Sequence, residues 1–193
     1  MKKLMLMLLT GILFVLDARG QITKGYWMMG GNINYSSITT KSEASTQNTE
    51  YNIQIVPDIG YFFADKLVAG LKSNINKQGT KLTGDSSGYN RYTDFNIGPF
   101  VRYYFLRKDK IINLLAEGDY EYGFNASSIG ETKGERTSKN TLAISAGPVA
   151  YFNSSVSLEF LMGYSSEKFV HFRGRNNTIK LSLGLQFYLE RTR

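Results

Sequence analysis

The side chains best suited to catalysis lie close together near the end of this sequence. Its only histidine is His171, and Ser165, Ser166 and Glu167 precede it within six residues. A histidine, a serine and an acid are the parts of a nucleophilic catalytic site, in which the histidine accepts the serine's proton. A triad is defined by geometry that spacing does not supply, so we interpret His171 as part of a surface loop and predict no catalytic residue.

Three acids at alternate positions form a second chemical candidate. Glu117, Asp119 and Glu121 point the same way if they belong to one strand, and three carboxylates could bind a cation. Pairing with Lys72, Arg102 and Lys180 is the alternative that we favour, because buried charges need partners. With one histidine, no cysteine and no EF-hand spacing, the sequence predicts neither a metal site nor a cofactor.

The first twenty residues predict export. They combine a basic start, an apolar run from Leu4 to Leu16, and small residues at Ala18 and Gly20. This is the pattern of a secretory signal peptide cut before Gln21. A membrane helix is the alternative, but the run is about 13 residues long and a span needs about 20. We therefore predict a signal peptide over 1–20 and a single domain over 21–193.

Composition narrows the class of the exported domain. The signal segment holds three basic residues and one acid, so the formal charge of +7 falls to +5 without it. That excess suits anionic lipid head groups, and we predict no nucleic-acid partner. The absence of cysteine excludes a disulfide framework. No run of 18 apolar residues occurs after the signal segment, so the sequence predicts no membrane helix.

Alternation of apolar and polar residues runs through eight segments after residue 20. Between residues 51 and 63, for example, Ile53, Ile55 and Ile59 share one face with aromatic residues, while Asn52 and Asp58 share the other. The gaps between segments alternate between long and short. Such a sequence is typical of a transmembrane β-barrel with long outer loops and short periplasmic turns. We predict an all-β fold, an eight-stranded antiparallel up-and-down transmembrane β-barrel.

The two faces predict which side meets lipid. The apolar face ends in aromatic residues at both ends of the segments, as expected of the girdles of a barrel in a bilayer. The polar face would form a paired lumenal charge network comprising Asp58, Lys72, Asp94, Arg102, Glu117, Asp119, Glu121, Glu159 and Lys180. A soluble antiparallel sandwich or lipocalin-like barrel, with the apolar face inside, is the alternative.

Prolines and polar stretches give two further expectations. Pro57, Pro99 and Pro148 occupy equivalent places in the second, fourth and sixth strands. Proline cannot donate to a strand ladder, so we expect a bulge or a missing ladder bond at each. The stretches 42–49, 79–90 and 126–140 are rich in Ser, Thr, Asn and Gly and predict mobile outer loops.

Two segments carry a resemblance to a known family. The hairpin PDIGYFFADKLVAG (57–70) and the closing strand LSLGLQF (181–187) resemble elements of small eight-stranded outer-membrane barrels of the OmpX and OmpA type. The resemblance implies an integral outer-membrane location in a Gram-negative bacterium, a monomer, and recognition of the closing strand by the barrel-assembly machinery. In this sequence six residues, 188–193, follow the aromatic of that strand.

The expected role follows from the lack of a catalytic motif and from the outer loops, since the resemblance describes a barrel rather than an activity. Lys168, His171, Arg173 and Arg175 would gather on the last outer loop, where arginine can bind lipopolysaccharide phosphates in a bidentate manner. A solvated loop is the alternative. We expect a non-enzymatic protein with a structural, envelope-integrity or surface-adhesion role carried by its extracellular loops. Its expected partners are outer-membrane lipid and lipopolysaccharide.

Two other functions stay open for a barrel of this size. The first is a small-solute pore. The second is a lipid A-modifying enzyme, but the deacylases among such barrels carry a His-x-Ser element, and here Arg173 takes the place of the serine.

Overall fold

Eight antiparallel strands close into one barrel. The computed structural model describes residues 22–41, 47–82, 89–129, 132–170 and 174–190. Each strand pairs with its neighbours along the chain, and the first pairs with the last. The strands are β1 Trp27–Lys41, β2 Gln47–Ala64, β3 Leu67–Leu82, β4 Tyr89–Tyr104, β5 Ile112–Ile129, β6 Thr132–Tyr151, β7 Val156–Phe169 and β8 Asn176–Leu189. Among the described residues no helix is long and apolar enough to cross a membrane.

The seam between β1 and β8 completes the cylinder. Its register runs from Trp27 opposite Leu189 to Asn32 opposite Gly184. Lipid offers no hydrogen-bond partner for backbone groups, so an open edge at membrane depth would cost several kcal/mol for each unsatisfied group. The predicted up-and-down barrel, closed by its first and last strands, is confirmed.

The apolar face points outward. Ile55, Ile97 and Leu183 are 43%, 47% and 55% exposed, whereas Arg102 and Glu117 are 2% and 4% exposed. A soluble β-protein would have the reverse distribution. The aromatic residues expected in the two girdles lie on this outward face: Tyr61, Phe63, Tyr103, Phe105, Phe152 and Phe187 near the turns, and Tyr35, Tyr51, Tyr120, Tyr122 and Tyr164 towards the other end.

Each proline interrupts one ladder. The pairing jumps from Ile55↔Ile75 to Asp58↔Lys72, from Ile97↔Tyr122 to Phe100↔Asp119, and from Ala146↔Met162 to Val149↔Glu159. The register is the same on both sides of every gap, so these are missing ladder pairs without bulges. On its other edge each proline keeps a partner: Pro57 faces Gly31, Pro99 faces Leu71 and Pro148 faces Leu114. The expectation of a local ladder defect at each proline is confirmed.

The prediction of long outer loops is wrong in extent, because the strands continue into the stretches predicted to be loops. The stretch 126–140 is almost entirely strand, because β5 continues to Ile129 and β6 begins at Thr132. Likewise β2 begins at Gln47, β3 reaches Leu82 and β4 begins at Tyr89. Outside the bilayer both faces of a strand meet water, so the ladder can continue through polar residues that show no alternation. The connecting residues 42–46, 83–88, 130 and 131 lie outside the described residues.

A short segment before β1 seals the turn end of the barrel. Ile22 is 1% exposed, and its carbonyl accepts a hydrogen bond from the Lys66 amide at 2.9 Å. The Gly25 amide donates to the carbonyl of Phe62, also at 2.9 Å. This segment therefore extends the hydrophobic packing of the barrel's interior across its mouth.

Candidate functional site

The lumen is filled by an apolar layer at the turn end. Tyr104, Tyr151 and Tyr188 are almost fully buried, and the Tyr104 and Tyr188 hydroxyls lie 3.2 Å apart. The Tyr188 hydroxyl also lies 3.0 Å from Ser157 Oγ. We call this layer the floor; its buried members are Ile22, Met28, Phe62, Val68, Phe100, Tyr104, Leu115, Val149, Tyr151, Leu161 and Tyr188. No such layer was predicted, although all of its residues except Ile22, which precedes β1, share the polar face of their strands.

Arg102 lies above the floor and organises the predicted charge network. Its Nη1 is 2.8 Å from Glu159 Oε1, and its Nε and Nη2 are 2.8 and 2.6 Å from Glu117 Oε2. Nη2 also lies 3.5 Å from Asp58 Oδ2, which accepts a hydrogen bond from Gln186 at 2.9 Å. Three acids on three different strands therefore converge on one guanidinium.

Lys72 ties the same network to β5. Its ammonium contacts Glu117 and lies 3.5 Å from Asp119. The ring of Phe100 lies 5.4 Å from this ammonium and 5.6 Å from the Arg102 guanidinium carbon, within the range of a cation–π contact. The structure thus brings together Asp58, Lys72, Arg102, Glu117, Asp119 and Glu159 as one buried network.

Asp94 belongs to a separate cluster that sequence reasoning did not find in full. Its carboxylate contacts the ammonium of Lys139, which also lies 3.0 Å from Glu167. Asn96 donates a hydrogen bond of 2.8 Å to Asp94. Lys139 lies within the stretch 126–140, whose composition predicts a loop, but it alternates with Thr141 on the inner face of β6.

A polar cavity of about 360 Å³ lies in the lumen next to the network. One wall carries the amides of Asn32, Asn34, Asn52, Gln54 and Asn74, and the opposite wall carries Asp119, Glu121, Thr141, Ser165 and Lys180. Glu121 is 3% exposed. Among the described residues, no basic group lies within 4.0 Å of its carboxylate, the distance that defines an ion pair. Lys180 is exposed, and it too forms no ion pair with any described residue. These two predicted network members line the cavity without joining the network.

The outer wall carries two of the predicted lipopolysaccharide contacts. Lys168 and Arg175 are exposed and line a depression with Tyr120, Asn140, Leu142 and Ser166. The ring of Tyr120 belongs to the outward aromatic girdle, so the two cations lie at the border of the apolar band. His171 and Arg173 lie outside the described residues.

Solved structures of small membrane barrels share this architecture. Neisserial surface protein A matches with 13% identity and a TM-score of 0.53 over 85% of this chain and 97% of that one. The N-terminal β-barrel domain of Pseudomonas aeruginosa OprF matches with 13% identity, a TM-score of 0.52, and coverage of 86% and 98%. The outer membrane protein OprG from Pseudomonas aeruginosa matches with 13% identity, a TM-score of 0.56, and coverage of 91% and 100%.

The chain has the fold of a small eight-stranded outer-membrane β-barrel. At 13% identity the likeness establishes the fold alone. No protein-family model matches the sequence, and no curated protein matches it.

The two serines considered for catalysis lie on opposite faces of β7, and His171 lies outside the described residues. Ser165 lines the lumenal cavity, while Ser166 lines the depression on the outer wall. The carboxylate of Glu167 is paired with Lys139. Among the described residues no group of three histidine, cysteine or acidic side chains is arranged to hold a metal ion. Glu117 and Asp119 contact Lys72 instead, which is the pairing favoured from the sequence.

Proposed function

We propose that this chain is an integral outer-membrane protein without enzymatic activity, which supports the envelope or mediates surface contact through its outer end. The observation that carries the proposal is the closed lumen: the floor and the Arg102 network together block the barrel interior between the turn end and the lumenal cavity. Eight strands leave an interior just wide enough for side chains to fill. A chain folded in this way presents its outer wall and outer hairpins to partners.

Location is the first part of the proposal to test. The outward apolar band and both girdles support insertion into a bilayer, and the basic and apolar start of the sequence supports export with removal of residues 1–20. Envelope fractionation should recover the protein with outer-membrane markers. A folded barrel should also migrate faster on gels when it is not boiled in detergent. Recovery in the soluble periplasmic fraction, with no heat-dependent mobility, would contradict the proposal.

Lipopolysaccharide is the proposed partner of the outer wall. Lys168 and Arg175 lie beside Tyr120, an arrangement in which cations can bind lipid phosphates while the aromatic ring meets the border of the acyl chains. We also propose that the barrel is a monomer and that the barrel-assembly machinery acts on it during insertion.

A paired charge removal tests this partner. The double substitution Lys168→Gln and Arg175→Gln should reduce the lipopolysaccharide retained by the purified barrel. The matched control is Lys108→Gln with Lys110→Gln, which removes two exposed cations from the turn between β4 and β5, at the opposite end. Equal retention in both double variants would show that the outer depression does not hold lipopolysaccharide.

A further inference from the structure

One wall of the lumenal cavity carries a buried acid that lacks a partner. Glu121 is 3% exposed, yet its carboxylate forms no ion pair with the described residues. The other two acids of the same strand face, Glu117 and Asp119, both lie against Lys72. A carboxylate held away from bulk water requires a compensating cation or hydrogen-bond donors. Glu121 is therefore the acid of this face that remains available to a ligand.

Two unpartnered hydroxyls lie on the same wall. Thr141 and Ser165 are 6% and 5% exposed, and neither Thr141 Oγ1 nor Ser165 Oγ has a hydrogen-bond partner among the residues that the structure describes. Glu121 pairs directly with Thr141 across β5 and β6, and Ser165 is diagonal to Thr141 across β6 and β7. Side chains at such positions lie about 5 to 8 Å apart. All three residues line the cavity.

On the facing wall, several side-chain amides already form hydrogen bonds with one another. Asn34 donates to Asn32 and Gln54 at 3.3 and 3.4 Å, and Gln54 donates to Asn74 at 3.0 Å. These bonds hold the amides to one another across β1, β2 and β3. Asn52 Oδ1 on this wall also lacks a hydrogen-bond partner among the described residues, but the unpartnered hydroxyls that adjoin Glu121 lie on the wall built by β5, β6 and β7.

We propose that Glu121, Thr141 and Ser165 bind the primary ammonium group of a small organic cation. An ammonium has three N–H donors, and the wall offers a carboxylate and two hydroxyl oxygens as acceptors. A neutral polyol would leave the charge of Glu121 unpaired. A divalent metal is disfavoured, since no group of three acidic or histidine ligands is assembled among the described residues.

The route to this site runs from the outer end of the barrel. The floor blocks access from the turn end. Lys180, another lining residue, is exposed, so solvent reaches the cavity. Because the floor closes the turn end, a ligand in this cavity would not pass through the barrel. The inference needs a folded barrel but does not depend on the proposed envelope role.

An NMR titration with ethylammonium chloride tests the site in the folded, micelle-bound protein. Saturable shifts are expected for the backbone amides of residues 121, 141 and 165. Glu121→Gln should weaken binding about tenfold or more, as expected when a charged hydrogen-bond partner is lost. Glu50→Gln is the matched control, because it removes one carboxylate from an exposed position outside the cavity. Absence of saturable shifts in the unmodified protein, or equal binding by both variants, would overturn the inference.

Two further comparisons separate an ammonium site from a general cation site. Tetramethylammonium has the same charge but no N–H donors, so it should not compete with ethylammonium; potassium should compete weakly. Equal competition by either ion would overturn the assignment to a primary ammonium.

Thr141→Val keeps the side-chain shape and removes one acceptor, so it should weaken ethylammonium binding in a barrel that still shows heat-dependent gel mobility. Unchanged binding by this variant would exclude the hydroxyl from the site.

Discussion

At the scale of single residues, Arg102 is the side chain on which the lumenal network depends. Replacing it with methionine leaves Glu117, Glu159 and Asp58 facing one another without their shared cation. Breaking a buried ion pair by removing one partner costs about 3–5 kcal/mol. Arg102→Met should therefore lower the free energy of unfolding by about that amount.

Urea unfolding in lipid vesicles, followed by the fluorescence of Trp27, measures this change. Trp27 is the only tryptophan and lies on the outward face. Arg107→Met is the control, because the Arg107 guanidinium lies 3.2 Å from Asp109 in an exposed turn, where ion pairs contribute little. Adding Glu117→Gln and Glu159→Gln to Arg102→Met should recover part of the loss. An Arg102→Met barrel as stable as the unmodified one would show that the network is not stabilised by its central cation.

At the scale of secondary-structure elements, the three proline gaps have one physical cause. Pro99 lacks an N–H, and the ladder between β4 and β5 loses its pairs at this point while keeping its register. Pro99→Ala restores the donor. We expect the amide that this substitution creates to bond to β5 and to exchange with solvent deuterium as slowly as neighbouring amides of β4. Rapid exchange at position 99, with slow exchange around it, would mean that the strands are held apart by something other than proline.

The segment before β1 makes a second prediction at this scale. Ile22 is buried in the floor, and truncating a buried isoleucine to alanine typically costs about 2–5 kcal/mol. Ile22→Ala should destabilise the barrel within that range, whereas Lys24→Ala, at an exposed position of the same segment, should have little effect. Denaturant unfolding of the two variants in the same lipid distinguishes them. Equal stabilities would show that the segment is only loosely attached to the mouth.

The reach of sequence reasoning also differs between elements. Within the bilayer one face of each strand meets lipid, so a two-residue period records which side chains point outward, as at Ile55 and Ile97. Beyond the bilayer both faces meet water and the two-residue period fades, so the composition of 126–140 predicts a loop and gives no sign that Lys139 points inward. Pairing partners such as Arg102 and Glu159 are 57 residues apart. Their contact depends on the strand register and barrel closure, which alternation alone does not specify.

At the scale of the whole molecule, the filled lumen predicts a barrel that does not conduct ions. The floor excludes water at the turn end, and the Arg102 network occupies the space above it. In planar lipid bilayers the unmodified protein should give no stable stepwise conductance. Removing the three buried rings by Tyr104→Ala, Tyr151→Ala and Tyr188→Ala should open the floor to water and allow ion passage. The matched control is the triple alanine variant of the outward residues Tyr103, Tyr120 and Tyr122, which should stay silent. Large, reproducible steps from the unmodified barrel would contradict the closed lumen and favour a pore, since the side chains that fill the interior would then have to move aside together.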